Sequence, residues 1–234
     1  VKYGHTSPLK HIVQIEAGHP IPDEAGIKGT EEIVRFLKKA DKHTLVICLL
    51  SGGASSLLVS PLDGTTLKAK KKVTDMLLSA GADIEELNAV RKHVSKVKGG
   101  RLAEMAYPAK VITMLVSDVI GNKLDVIASG PTVPDTTTFK DAVMVIGKYG
   151  FEDKLPLRVK RVLQDGVKGK IKDTPKGKER FFRNTKNIII GSIEHAINAA
   201  NKKSYKMGFK PEVITSKLQG EAVDAARYLA ARAL

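Results

Sequence analysis

Four short stretches of this chain bring glycine together with hydroxyl, carboxylate or basic groups: Ser51-Gly52-Gly53-Ala54-Ser55-Ser56, Lys98-Gly99-Gly100-Arg101, Ser117-Asp118-Val119-Ile120-Gly121 and Ser129-Gly130-Pro131-Thr132. Glycine reaches positive φ without strain and lets a backbone come close to a ligand. Successive N–H groups in such a bend can converge on an anion, and a serine adds a donor with little bulk. The chemistry open to these residues is the gripping of phosphate or carboxylate groups. A tight strand-to-helix turn with no ligand would use the same residues, so the Ser51–Ser55 loop alone does not decide.

Asp118 and Asp125 are the carboxylates of the 117–135 stretch. Phosphoryl transfer needs Mg²⁺ held by hard oxygen ligands, and Asp118, at a strand end beside glycine, suits that better than Asp125. It is the candidate catalytic and metal-binding residue, with capping of a helix or turn as the plain alternative. Asn88, Arg91, Lys92 and Ser95 fall at i, i+3, i+4 and i+7, one stripe of a helix, and lead into Lys98-Gly99-Gly100. Such a stripe is usually a solvated face; here it is also a candidate ligand face. Gly191, Ser192 and Glu221 follow later apolar runs and are candidates of the same kind. His5, His11, His43 and His195 show no metal-ligand spacing, and His19 is read as shaping the turn before Pro20 and Pro22, with a catalytic base as the alternative.

Familiar signatures are missing. No GxxxxGK[ST] phosphate loop and no GxGxxG dinucleotide loop occurs, and Leu57 stands where a GxSxG elbow needs its second glycine.

Something must hold these loops in place. Apolar runs at 11–17, 44–50, 111–116, 187–191 and 212–216 read as strands, with 44–50 fully buried. Amphipathic stretches between them predict helices over 23–40, 66–80, 83–97, 100–106, 138–149, 154–164, 192–207 and 220–233. This alternation predicts an α/β fold, a Rossmann-like and mostly parallel sheet flanked by helices. In open α/β sheets ligands bind beyond the carboxyl ends of the strands, where the glycine stretches fall. Residues 165–186 are rich in Lys and Gly and read as an exposed basic linker. It would divide a main domain, 1–164, from the start of a second α/β lobe, 187–234.

The net charge is +14, with 42% hydrophobic residues, 5% aromatic residues and a single cysteine, Cys48. The positive charge is dispersed, and with few aromatics a single-strand nucleic-acid platform is disfavoured. One cysteine forbids an internal disulfide and a cysteine-based metal site, and a cytoplasmic setting is the default. No run approaches the roughly 18 apolar residues of a membrane helix. Oligomeric state is not readable, and a homodimer stays open.

EAGHPIPDEAG, LLSGGASSLL, NAVRKHVSKVKGGRLA and SDVIGNKLDVIASGPTVPD occur in this order and continue through NIIIGS and QGEA. Together they resemble the glycerate 2-kinase family, also called class II glycerate kinases or the MOFRL family. The resemblance implies ATP- and Mg²⁺-dependent phosphorylation of D-glycerate to 2-phosphoglycerate, in a cleft between two α/β lobes. It implies that Ser51–Ser55 and Lys98–Arg101 help hold nucleotide phosphate or substrate carboxylate, and that the Ser117-Asp118 and Ser129–Thr132 segments line the same cleft. Members of the family are much longer. The segment expected before EAGHP, with a candidate catalytic lysine, and a C-terminal domain have no counterpart here, so the chain reads as a fragment whose own activity is open. The alternatives are a hydroxypyruvate reductase and a non-catalytic basic binding module.

Overall fold

A computed structural model describes residues 1–218 and 220–233. Its elements run α1 (Glu24–Leu37), β1 (Leu45–Leu50), α2 (Ala54–Leu57), α3 (Leu67–Ser79), α4 (Ile84–His93), α5 (Arg101–Ala106), β2 (Lys110–Val116), α6 (Phe139–Lys148), α7 (Leu157–Val167), β3 (Thr185–Gly191), α8 (Ile193–Lys206) and α9 (Ala222–Ala233). Short 3₁₀ turns occupy Ile120–Asn122, Ile127–Ser129 and Arg180–Asn184.

The helix starts follow from side-chain capping. Asp23 accepts from the Gly26 N–H, Thr66 from Ala69 and Ser192 from His195. Asp83 with Glu86, and Thr138 with Asp141, form reciprocal capping boxes. Each cap satisfies a donor the helix cannot use internally and contributes about 1 kcal/mol.

The three strands form one sheet in the order β1-β2-β3, and both pairings are parallel. Leu50 pairs with Leu115, and Val116 with Gly191. The register therefore brings the loops opening at Ser51, Ser117 and Ser192 to a single edge of the sheet.

Two apolar cores support that edge. One joins α1 and α5 to the sheet through Leu37, Leu58, Val97, Leu102, Ala106 and Val111. The other lies among α3, α4, α6 and α7, around Leu77, Val90, Val94, Phe139 and Leu163. A Cβ at Gly166 would strike the Phe139 ring, so glycine lets α7 lie close to α6.

Several expectations are corrected. Residues 11–17 and 212–216 form no strand. Ala17 makes only an isolated bridge to Lys2, and Val13 and Val213 are exposed, because a strand needs a neighbour to take its ladder bonds. β1 is not fully buried: its side chains alternate, with Leu45, Ile47 and Leu49 open to solvent. Helix α4 stops at His93, and Ser95 instead bridges to Pro61. Residues 165–186 are not simply an exposed linker. Helix α7 continues to Val167, and Thr174 and Phe181 are buried. The expected boundary at 187 cuts a strand hydrogen-bonded to β2, so one sheet runs across it.

Lys70 shows how tightly α3 holds α4. It is buried, and its Nζ donates to the carbonyls of Arg91 at 3.1 Å and Val94 at 3.4 Å, at the C-terminal end of α4 where carbonyls have no partner within the helix. Burial, with repulsion from Arg91, pushes its pKa down to about 7. Between that value and the ordinary lysine pKa the unfolded chain binds the extra proton, so stability rises with pH across this window. Lys70→Met should flatten that rise, which is at most about 4 kcal/mol, when urea unfolding of both proteins is compared from pH 6.5 to 9.5.

Candidate active site

The loop after β1 is built around two close approaches. A Cβ at Gly52 would lie 2.6 Å from Oδ2 of Asp118, the residue two beyond the end of β2. Gly53 has φ +84°, and a Cβ there would lie 2.7 Å from Nε2 of His19. Small residues at 52 and 53 thus let the β1 loop sit against the Asp118 carboxylate on one side and the His19 ring on the other.

Beyond these strand ends lies a cleft of about 740 Å³. Of the residues expected from sequence, Ser51, Gly52, Gly53, Ser55, Asn88, Arg91 and Asp118 line it together. They come from the β1 loop, α4 and the β2 loop. Asp83, Glu85 and Lys123, which no motif singled out, also line it, and Lys123 pairs with Glu85. A somewhat larger depression, about 880 Å³, is lined by Lys68, Lys71, Lys72 and Asp75 of α3 with Asp23 and Glu24. No strand-end loop reaches it, so the chemistry is assigned to the smaller cleft.

The remaining expected residues serve behind the wall or elsewhere. Lys92 is buried, its Nζ 3.2 Å from both Asp125 Oδ2 and Asp135 Oδ1. Lys98 is fully buried, and its Nζ donates to Ser55 O at 2.9 Å, Ser55 Oγ at 3.1 Å and Ala128 O at 3.2 Å. The N–H groups of Gly99 and Gly100 donate to the carbonyls of Ser129 and Gly130, so this turn is lashed to the 129–130 backbone and is not a free anion nest. Thr132 Oγ1 bonds Thr113 and Asn187 across the sheet. Ser117 folds its hydroxyl onto Val119, while its N–H donates to Gly191 O. Gly130, at φ +59°, packs against the Asp125 backbone. Ser192 caps α8, and Glu221 stands exposed just before α9; neither lines the cleft.

Within the cleft, charge and hydrogen-bonding capacity are left over. Asp118 is exposed and has no hydrogen-bond or ion-pair partner among the described residues. Arg91 has no acidic partner within 4 Å among the described residues, and burial lowers its guanidinium pKa, though arginine keeps its charge. Ser129 Oγ lies 2.9 Å from Ser55 Oγ and donates to Asn88 Oδ1 at 2.8 Å. Asn88 is buried, yet its Nδ2 has no partner. Burial first, then the charges of Arg91 and Lys70, pushes the Lys98 amine well below its ordinary pKa.

Sequence reasoning missed the Lys98–Ser55–Ser129–Asn88 chain because its members lie up to 74 residues apart. It also missed the buried anchor behind it. His93 Nε2 meets Asp173 Oδ1 at 2.8 Å, and Thr174 Oγ1 donates to Asp135 Oδ2 at 2.9 Å. Burial alone would raise the Asp173 carboxyl, but the bonds from His93 and the Thr174 N–H hold it well below the usual carboxylate range.

Among the described residues no three His, Cys, Asp or Glu side chains converge on a metal position. Mg²⁺ is commonly held by one or two carboxylates together with substrate phosphates. The single free carboxylate of Asp118 fits that arrangement and no denser one. No helix among the described residues is long and apolar enough to cross a membrane.

Residues 1–164 match a family described as a domain of unknown function, DUF4147. A glycerate 2-kinase from Pyrococcus horikoshii is 42% identical over 97% of this chain and 51% of its own length. A relative from Agrobacterium vitis, 42% identical over 100% of this chain and 51% of its own length, carries a provisional name as a hydroxypyruvate reductase. The crystal structure of a glycerate kinase from Thermotoga maritima superposes with a TM-score of 0.84 at 42% identity, covering 98% of this chain and 53% of that one. The chain spans about half the length of the curated relatives it matches. With its parallel sheet, its strand-end cleft and this match, the chain belongs to the DUF4147 domain family and is a homologue of the glycerate 2-kinases.

Proposed function

We propose that this chain forms one wall of the active site of an ATP-dependent kinase that phosphorylates the 2-hydroxyl of D-glycerate. One observation carries this reading: Asp118 of the β2 loop and Asn88 and Arg91 of α4 meet the small-residue Ser51–Ser55 loop in one cleft. In-line attack of the hydroxyl on the γ-phosphorus of ATP moves negative charge onto phosphoryl and bridging oxygens. Fixed donors aimed at such charge lower the barrier because they need no reorganisation during the reaction. Arg91 and the free Asn88 amide supply such donors. Asp118 orients the attacking hydroxyl or holds Mg²⁺ beside the phosphates. Mg²⁺, when bound, would neutralise part of the phosphate charge. Gly52 leaves Asp118 room to reach forward.

The hydroxypyruvate reductase name borne by one relative offers a second reading, but the chain has no GxGxxG loop to seat a dinucleotide pyrophosphate. The deciding assay supplies ATP, Mg²⁺ and D-glycerate to this chain and to the longest polypeptide its gene encodes, and identifies the product. The expected product is 2-phosphoglycerate. Oxidation of NADH with hydroxypyruvate, in place of ATP consumption, would overturn the kinase reading.

In the active protein, Asp118→Ala should lower kcat by about 100-fold or more, while its exposed, unbonded side chain limits the change in stability to under about 1 kcal/mol. Gly52→Ala should also fold, because the atom its methyl meets is the mobile end of Asp118. It should lower kcat by displacing that carboxylate. The double variant should be no slower than Asp118→Ala alone, since both changes act through one group.

A further inference from the structure

We infer that Asn88 is a dedicated hydrogen-bond donor to an anionic oxygen of the substrate, and that buried Lys98, acting through Ser55 and Ser129, is the positioning residue that fixes it as a donor. The inference rests on the reading of this cleft as the kinase's anion site.

The argument is one of hydrogen-bond direction. A lysine ammonium has three N–H donors and no acceptor. Around Lys98 Nζ stand three acceptors: Ser55 O, Ser55 Oγ and Ala128 O. Because Ser55 Oγ accepts from Lys98, its own proton turns to Ser129 Oγ, 2.9 Å away. Ser129, having accepted, gives its proton to Asn88 Oδ1 at 2.8 Å. Ser129 is fully buried and Asn88 nearly so, so water does not compete for these groups. Each link leaves the next one direction, and the last sets the Asn88 amide: oxygen to Ser129, NH₂ turned away from it. That NH₂ has no partner in the protein, and Asn88 lines the cleft. A buried amide donor left empty is costly unless a ligand fills it. Arg91, three residues on and lining the same cleft, adds positive charge, so the group that fits is a carboxylate or phosphate oxygen.

The direction depends on the charge of Lys98. Loss of its proton leaves a lone pair that can accept from Ser55. The chain can then reverse, and Asn88 can turn its oxygen to the cleft. The charged groups acting on Lys98 are Arg91 of α4 and Lys70 of α3. Its other contacts, on Ser55 of α2 and Ala128 of the Ile127–Ser129 turn, are uncharged. Asp118, Asp83, Glu85 and Lys123 lie on the cleft wall.

The test follows the Asn88 side-chain amide by ¹⁵N NMR on the whole chain, with D-glycerate and inorganic phosphate titrated separately at pH 6. Either probe should shift the amide pair; a response to D-glycerate alone assigns a carboxylate seat, and a response to phosphate assigns a phosphoryl seat. Asn88→Asp keeps an oxygen for Ser129 but puts an acceptor in place of the donor, and should weaken binding tenfold or more. Ser129→Ala leaves the cleft lining intact, frees the amide to turn and should weaken binding about threefold. D-glycerate binding to the unsubstituted chain should weaken as pH rises through the Lys98 titration, and Ser129→Ala should lose that part of the pH dependence. Binding of both probes by Asn88→Asp within twofold of the unsubstituted chain would overturn the donor role and leave the kinase reading intact. Amide shifts without any phosphorylation by the complete gene product would sink the kinase and keep the donor. Absence of binding to the unsubstituted chain would overturn the inference itself.

Discussion

The Nζ of Lys98 sits where three separate pieces of chain must agree. The lysine side chain leaves the turn between α4 and α5, reaches the first turn after β1 at Ser55, and touches the carbonyl of Ala128 beyond β2. A buried ammonium tolerates few environments, because it must have its donors met or give up its charge. That constraint fixes the distance between the two strand-end loops more tightly than apolar packing would. The parallel register already brings Ser51, Ser117 and Ser192 to one edge; Lys98 turns that edge into a cleft with a defined width.

A second buried cation supports the same wall from behind. Lys92 is held by Asp125 and Asp135, and Asp135 is further bonded by Thr137 and Thr174. Burial would raise the Asp135 carboxyl, yet Lys92 and the Thr137 bonds keep it below its ordinary pKa. Breaking one partner of such a cluster typically costs about 3–5 kcal/mol, since the other charge is left stranded. The segment around 173–174 belongs to this cluster, which explains why a Lys- and Gly-rich stretch is pinned to the helical core through His93 and Asp135.

How much of this was legible in the sequence can be judged residue by residue. The helix starts were, because Asp23, Thr66, Asp83 and Thr138 act on their own neighbours and capping is local. β1, β2 and β3 were, as was the placing of the Ser51 and Asp118 loops at strand ends. Whether an apolar run becomes a strand was not: residues 11–17 look like β1 but lack a neighbour. The stripe of Asn88, Arg91 and Lys92 was legible as a stripe, and its division was not. At about 100° per residue, Arg91 and Lys92 lie to opposite sides of Asn88. One side opens on the cleft and the other on the buried Asp125 and Asp135, a difference set by distant segments. Lys98 beside two glycines looked like part of an anion nest, and only the fold shows those N–H groups already committed to Ser129 and Gly130.

The row of Leu45, Ile47 and Leu49 on β1, joined on β2 by Val116, leaves one side of the sheet without a helical cover; they are 52%, 55%, 73% and 47% exposed. Parallel sheets are stable when shielded on both sides. The same strands lead into the loops that open at Ser51 and Ser117, so the uncovered side and the cleft are built on the same two strands. Anything that covers Leu49 or Val116 would lie against the same strand ends that carry Gly52 and Asp118.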